Sequence, residues 1–304
     1  MSASDAALRR SPPTSDLPLP PPSSPPARRP RRGRAAWFLY PPLLLLAAVF
    51  LFPFYWMVKS SLVDLGSIFE PTPSLVPHNP TLSNFVTALT MFPFGRFFLN
   101  SLFVAVLTVA GTLLTASMCA FSFSRLRWRW RSRVFSVVLT GMMLPFFVVM
   151  IPQFIMWRYL GLTNGFTPLI APAWFGGGVF NIFLLRQFFL GIPRDLDEAA
   201  VMDGASKARI FFQIILPLSK PALIVVGLLT FLASWNDYLA PLIFITTEEK
   251  YTLMLGLNMF LGGYTAQWNY LMAATCAIVL PSVLIFLVAQ KYLMEGIVMT
   301  GLKG

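Results

Sequence analysis

Ionisable side chains are scarce in this sequence. Asp, Glu, Lys and Arg make up 12% of its residues, against the roughly 25% with which a soluble domain covers its water-facing surface. Histidine occurs once, as His78, and cysteine twice, as Cys119 and Cys276. A single loop histidine excludes a Ser/His/Asp arrangement. Two cysteines inside apolar blocks read as packing residues, with no disulfide framework and no Cys/His cluster for a metal. No Gly-x-x-x-x-Gly-Lys-[Ser/Thr] phosphate loop occurs anywhere in the chain. Catalytic and metal-binding residues are therefore expected to be absent, and any energy the protein uses must come from another polypeptide.

Apolar residues, in contrast, make up 56% of the chain, and they arrive in long blocks instead of periodic stripes. A bilayer is the solvent that accounts for both facts. The expected fold is all-α and polytopic, with about six transmembrane helices. The first span reads from about Trp37 to Val58, the second from Phe97 to Phe123, and the third from Val134 to Trp157 with Pro145 and Pro152 inside it. The fourth, Phe166 to Leu190, carries Pro168, Pro172 and Gly176-Gly177-Gly178 in its first half. Helix breakers at membrane depth need protein or a water-filled cavity to satisfy the freed backbone groups. The fifth reads from Pro221 to Ile245, with proline in its first turn, and the sixth from Trp268 to Ala289.

Residues 1–34 are rich in Pro, Ser and Arg, as in Arg28-Arg29-Pro30-Arg31-Arg32, and read as a disordered tail. No secretory signal peptide is evident, and the apolar block after the tail reads as a retained first helix. Residues 35–290 then form the membrane domain and 291–304 a second tail. The net charge of +11 raises the question of a nucleic-acid partner. With both termini inside, however, all of the 23 Lys and Arg except Lys59, Arg96, Arg158 and Lys250 fall on the cytoplasmic side. That is the retention bias of cytoplasmic loops, and it removes the need for nucleic acid. The basic stretch Arg125 to Arg133 reads as a topology anchor beside anionic lipid headgroups, and His78 as a solvated loop residue.

The polar segment 191–220 separates spans four and five. Pro193, Asp195 and Glu198 form a helix-start signal of the capping-box kind. Leu196, Ala199, Ala200 and Gly204 share one face of the helix that follows, where small residues allow another surface to approach. Gly204 is suited to end that helix and Ser206 to cap a second one, which runs to Leu216 and is stopped by Pro217. A cytoplasmic helix–turn–helix between two spans is the expected result. Glu198 reads either as a cap of its own helix or as a charge contact to a partner.

At these residues the chain resembles a known family. Glu198-Ala199-Ala200, Gly204, Ile214 and Leu216-Pro217 look like the EAA signature of permeases in ATP-binding-cassette (ABC) importers. Trp235-Asn236-Asp237-Tyr238-Leu239 with Pro241, and the ending Gly296 to Gly304, are similar to carbohydrate importers of the maltose system, of the shorter, MalG type. The likeness covers about residues 37–304, and the closing Ile297-Val298-Met299-Thr300 is bulkier than its pattern. What the resemblance implies is a permease without enzymatic activity in the bacterial cytoplasmic membrane. It would pair with a second, MalF-like permease, two ABC ATPase subunits that hold the ATP and magnesium, and an extracytoplasmic sugar-binding protein. The EAA residues would be the ATPase-coupling site. Asn181, Trp235, Asn236 and Asp237 are candidates for a substrate path or gate, or else an interfacial polar group at the outer end of a span. Two other functional readings remain open: an ABC importer for polyamine, phosphate or sulfate, and an ion-coupled secondary transporter. The latter should show repeated halves and buried charge relays, and neither is visible apart from Asp237.

Overall fold

The computed structural model describes residues 35–72, 74–262 and 266–301, with side chains described for 38–72, 74–262 and 266–292. The tail expected over 1–34 lies outside the described residues, as do the side chains of Ile297 to Thr300. The chain divides into two units, Met1–Leu51 and Phe52–Gly304. In the first unit, the described residues belong to helix α1 (Ala35–Ser61), which ends in the second. Its Leu43, Leu44, Leu45 and Phe50 are exposed, as suits a helix whose solvent is lipid.

Among its described residues the second unit holds helices joined by loops, and no strand. In chain order it holds α2 (Ser83–Met91), α3 (Phe94–Ser124), α4 (Arg131–Met143) and α5 (Phe146–Tyr159). Next come α6 (Thr167–Trp174), α7 (Val179–Gly191), α8 (Asp195–Met202) and α9 (Lys207–Leu218). The last four are α10 (Lys220–Trp235), α11 (Leu239–Phe244), α12 (Leu253–Leu257) and α13 (Trp268–Gly301). Among the described residues, four stretches are long and apolar enough to cross a membrane: Phe38–Ser61, Phe94–Ser124, Thr167–Gly191 and Trp268–Tyr292. Two bent pairs, α4 with α5 and α9 with α10, raise the number to six.

α3 is the axis of the unit and packs against α6, α7, α10 and α12. Its buried face carries Ala105, Gly111, Thr112, Ala116, Ser117 and Ala120. Small side chains let neighbouring helices approach closely where lipid supplies no hydrophobic drive. A Cβ on Gly111 would lie 2.6 Å from the Trp174 ring, so the glycine is a seat for that indole. At the end of α1, the buried Asn84 amide donates to the Ser61 and Val63 carbonyls at 3.0 and 2.8 Å and accepts from Asn269 at 3.3 Å. One side chain thereby ties the ends of three helices together.

Three spans are broken, each at a proline or glycine. The third span is two helices meeting at 100°. The break falls at Leu144, whose extended ψ of 117° is what the following Pro145 imposes, while Pro152 is carried inside α5. The fourth is interrupted at Gly176, Gly177 and Gly178, with φ of 118°, 68° and 86°, a run of left-handed backbone that only glycine adopts cheaply. The Gly177 carbonyl accepts the Asn181 side-chain amide of α7 at 2.8 Å, and two further bonds tie this span to α3. The Trp174 indole N–H donates to the Leu107 carbonyl at 3.1 Å, and the Thr115 hydroxyl donates to the Ala173 carbonyl at 2.8 Å.

The fifth span ends at Trp235, ten residues short of the expected Ile245. Pro241 cannot donate to the carbonyl four residues back and its ring would strike it. The chain breaks over 236–238 and restarts as α11, where the proline sits in the first turn and its missing N–H leaves no bond unmade. At the sixth span the helical backbone continues past Ala289 to Gly301.

Candidate functional site

The α8–α9 hairpin folds largely as its residues dictate. Gly204 ends α8 at φ 78°. The Gly204 N–H donates to the Val201 carbonyl at 3.0 Å and the Ala205 N–H to the Ala200 carbonyl at 2.9 Å, the paired bonds of a Schellman motif. No atom lies within 4 Å of a Cβ built on Gly204, so backbone conformation, not space, calls for the glycine. The Ser206 side chain accepts the Arg209 N–H at 3.2 Å and starts α9.

Two local expectations are corrected. Asp195 and Glu198 make no capping box: Arg194 precedes α8 and no side chain caps it. Pro217 does not stop the second helix. The chain widens into a π turn over Phe211–Ile215, which makes room for the proline ring, and continues to Leu218 before turning by 78° into α10.

One side of the hairpin is anchored. Ala200, Ile210, Phe211 and Ile215 are buried with Ala116, Ala120 and Phe121 of α3, Leu185 and Phe189 of α7, and Ala222 and Val226 of α10. Ile214 and Leu216 pack half-buried at its edge. The other side is open. Leu196, Glu198, Ala199, Gly204 and Pro217 are exposed, and Met202 is 87% exposed. The single small face expected for Leu196, Ala199, Ala200 and Gly204 is therefore divided, with Ala200 turned into the core. Beside it, Arg125, Arg127, Trp128, Arg194, Glu198 and Lys207 line a groove of about 810 Å³.

Arginines knit the hairpin to the span ends. The Arg125 side chain is 3% exposed and pairs with Asp197 at 3.1 Å. It also donates to the Phe189 and Ile192 carbonyls at the end of α7. In return Arg186 and Arg194 donate to the Phe123 and Ser124 carbonyls at the end of α3, at 3.3 and 3.4 Å. Helix C-termini carry partial negative charge, so two of them side by side need such cations. The expectation that the whole stretch Arg125 to Arg133 is a lipid-facing anchor is corrected for Arg125, which is buried, and for Arg131, which donates to the Leu126 carbonyl at 3.0 Å.

The four path candidates separate. Asn181 and Asp237 line one cleft of about 560 Å³ between α3, α6, α7 and α10. Thr108, Thr230, Ser234 and Thr252 line it with them. The Thr108, Thr230 and Thr252 hydroxyls are buried without a hydrogen-bond partner among the described residues. Asp237 Oδ1 accepts the Ala240 N–H at 3.1 Å, and the Asn181 amide donates to the Gly177 carbonyl at 2.8 Å. Asn236 is exposed and donates to the Leu232 carbonyl of its own helix at 2.8 Å. Trp235 is a core residue, 1% exposed. Its ring stacks on Phe231 at 5.3 Å and its N–H donates to the Ile278 carbonyl at 3.2 Å. Sequence reasoning missed the three threonines. For Thr108 and Thr230 a hydroxyl inside an apolar helix is the only signal, and most such hydroxyls bond back to their own helix; Thr252 precedes its helix and gives no such signal.

Comparison with known proteins adds to this geometry. Residues 112–298 match the family described as binding-protein-dependent transport system inner membrane component. The arabinooligosaccharides transport system permease of Bacillus subtilis is 34% identical over 263 residues, 85% of this chain and 92% of that protein. The sulfoquinovosyl glycerol transport system permease of Agrobacterium fabrum is 30% identical over 254 residues, 84% of this chain and 89% of that protein. A chain in the crystal structure of a bacterial ABC transporter involved in the import of the acidic polysaccharide alginate superposes with a TM-score of 0.74 at 25% identity. That superposition covers 87% of this chain and 99% of the other.

Proposed function

Because this chain belongs to the family of binding-protein-dependent transport inner-membrane components, we propose that it is one half of the translocation path of an ABC importer for a sugar or oligosaccharide. It is a multi-pass inner-membrane permease and not an enzyme. The observation that carries the coupling role is the two-sided hairpin. One side is held among three spans, and the other presents Glu198, Ala199, Met202 and Gly204, which are exposed among the described residues. A lever needs both properties. Closure of an ATPase dimer gripping the open side would move the hairpin, and the anchored side would pass that motion to α3, α7 and α10. Both termini then lie in the cytoplasm with the hairpin.

Completing the machine are a longer, MalF-like permease, two ABC ATPase subunits that hold ATP and magnesium, and an extracytoplasmic sugar-binding protein. The cleft at Asn181 and Asp237 is the part of this chain suited to meet the solute. Sugars are dense in hydroxyls, and partnerless threonine hydroxyls, an amide and a carboxylate supply complementary donors and acceptors. Two experiments test the reading. Purification from membranes should bring down an ATPase subunit, whereas a lone chain that takes up solute with protons would refute it. Identifying the ligand of the cognate extracytoplasmic protein should yield a carbohydrate; a polyamine, phosphate or sulfate would overturn the sugar assignment.

A further inference from the structure

The end of α3, the end of α7 and the start of α8 meet at one side chain. Arg125 is the residue that follows α3, its guanidinium reaches the Phe189 and Ile192 carbonyls that close α7, and it pairs with Asp197 in the first turn of α8. Little of it is accessible. A buried cation stays charged only when paired and hydrogen-bonded; three acceptors from two elements serve its terminal nitrogens, while Arg125 Nε and Asp197 Oδ1 have no partner among the described residues. The planar fork of arginine reaches them together, which the single ammonium of lysine cannot do. α8 is otherwise attached near its start by the weaker bond from Arg194 to Ser124. The apolar anchorage of the hairpin lies mostly in α9, at Ile210, Phe211 and Ile215, with Ala200 as the one buried residue of α8.

We propose that Arg125 is a positioning residue for coupling: it locks α8 to the ends of α3 and α7, so that hairpin and span ends move as one body when the ATPases close. The proposal rests on the importer reading and adds to it a specific joint. Without Arg125, the hairpin would follow the ATPases while the spans lag behind.

The test uses the full complex in nanodiscs, with Cys119 and Cys276 replaced and spin labels at Arg129→Cys, beyond α3, and Asp195→Cys, on α8. Interspin distances are compared between the nucleotide-free state and the state trapped with ADP and vanadate. With Arg125 present, the distance should change by no more than about 1–2 Å, the scale of helix adjustments within a packed body. In Arg125→Ala it should change by about 5 Å, one helical turn, and ATP hydrolysis should persist. Arg125→Lys, which keeps the charge opposite Asp197, should fall between the two. A wild-type change of a full turn, or an Arg125→Ala protein as rigid as wild type, would overturn the proposal. If Arg125→Ala does not reach the membrane, the isosteric Asp197→Asn decides by the same readout. Failure of the importer reading is distinguishable, because vanadate would then trap no nucleotide even with Arg125 in place.

Discussion

Trp235 and Asp237 stand two residues apart and serve opposite ends. The indole is sealed among Phe98, Phe231 and the Ile278 carbonyl, whereas the carboxylate lines a cleft. Trp235→Ala should lower stability by about 3–5 kcal/mol, as for other buried aromatic truncations, visible as reduced thermal unfolding temperature in detergent. Asp237→Asn should leave that temperature unchanged. It should instead lower solute uptake by roughly tenfold, since a hydrogen bond to a charged group is worth about 1.5–3 kcal/mol. Equal thermal effects would place both residues in the core. At Gly204 the cost of a side chain is conformational, because the space around it is open. Asn, which visits the left-handed region, should therefore retain uptake. Val should lose most of it, since the left-handed backbone costs most L residues about 1–2 kcal/mol. Uptake normalised to membrane level checks the order.

Breaks in the spans are the features that decide how the helices lie. The glycine run of the fourth span is clasped by α3, and its three residues are not equivalent. A Cβ on Gly177 would lie 2.8 Å from Ala116 Cβ and from the Thr112 carbonyl oxygen, whereas one on Gly176 meets nothing within 4 Å. Both hold positive φ, so both alanine variants carry strain, but only Gly177→Ala also forces the helices apart. Overpacking of this kind costs about 1–3 kcal/mol, and Gly177→Ala should unfold at the lower temperature of the two. In the same clasp, Thr115→Val removes the hydroxyl that satisfies the Ala173 carbonyl and should cost about 1 kcal/mol, measurable in the same melt.

Across the whole molecule, the two ends of α3 face different assemblies of loops. At its start, the Asn100 amide donates to the Glu249 and Tyr251 carbonyls at 3.0 and 2.9 Å. Near that loop, Asn164 accepts the Thr246 and Thr247 N–H groups at 3.1 Å. At its other end lie the arginines and the hairpin. In the proposed topology, which rests on the charge bias, the arginine end faces the cytoplasm. In a protein with Cys119 and Cys276 replaced, Glu249→Cys should react with a membrane-impermeant maleimide in intact cells, and Arg129→Cys only after permeabilisation. The reverse pattern would invert the topology and detach the hairpin from any cytoplasmic motor.

Much of this protein was determined by its sequence alone, and the physical reason is locality. Long apolar blocks demand spans whatever surrounds them, Gly204 and Ser206 punctuate the hairpin through bonds to backbone within five residues, and the Lys and Arg bias is a count along the chain. Tertiary structure decided what depends on groups distant in sequence. Arg125 meets Asp197 across 72 residues. Trp235 and Asp237 part company because the helix breaks between them and Pro241. Three threonines from α3, α10 and the segment before α12 become a cleft only when those elements converge. A buried charge and an unpartnered hydroxyl acquire their meaning from what packs beside them, and no spacing along one chain segment records that.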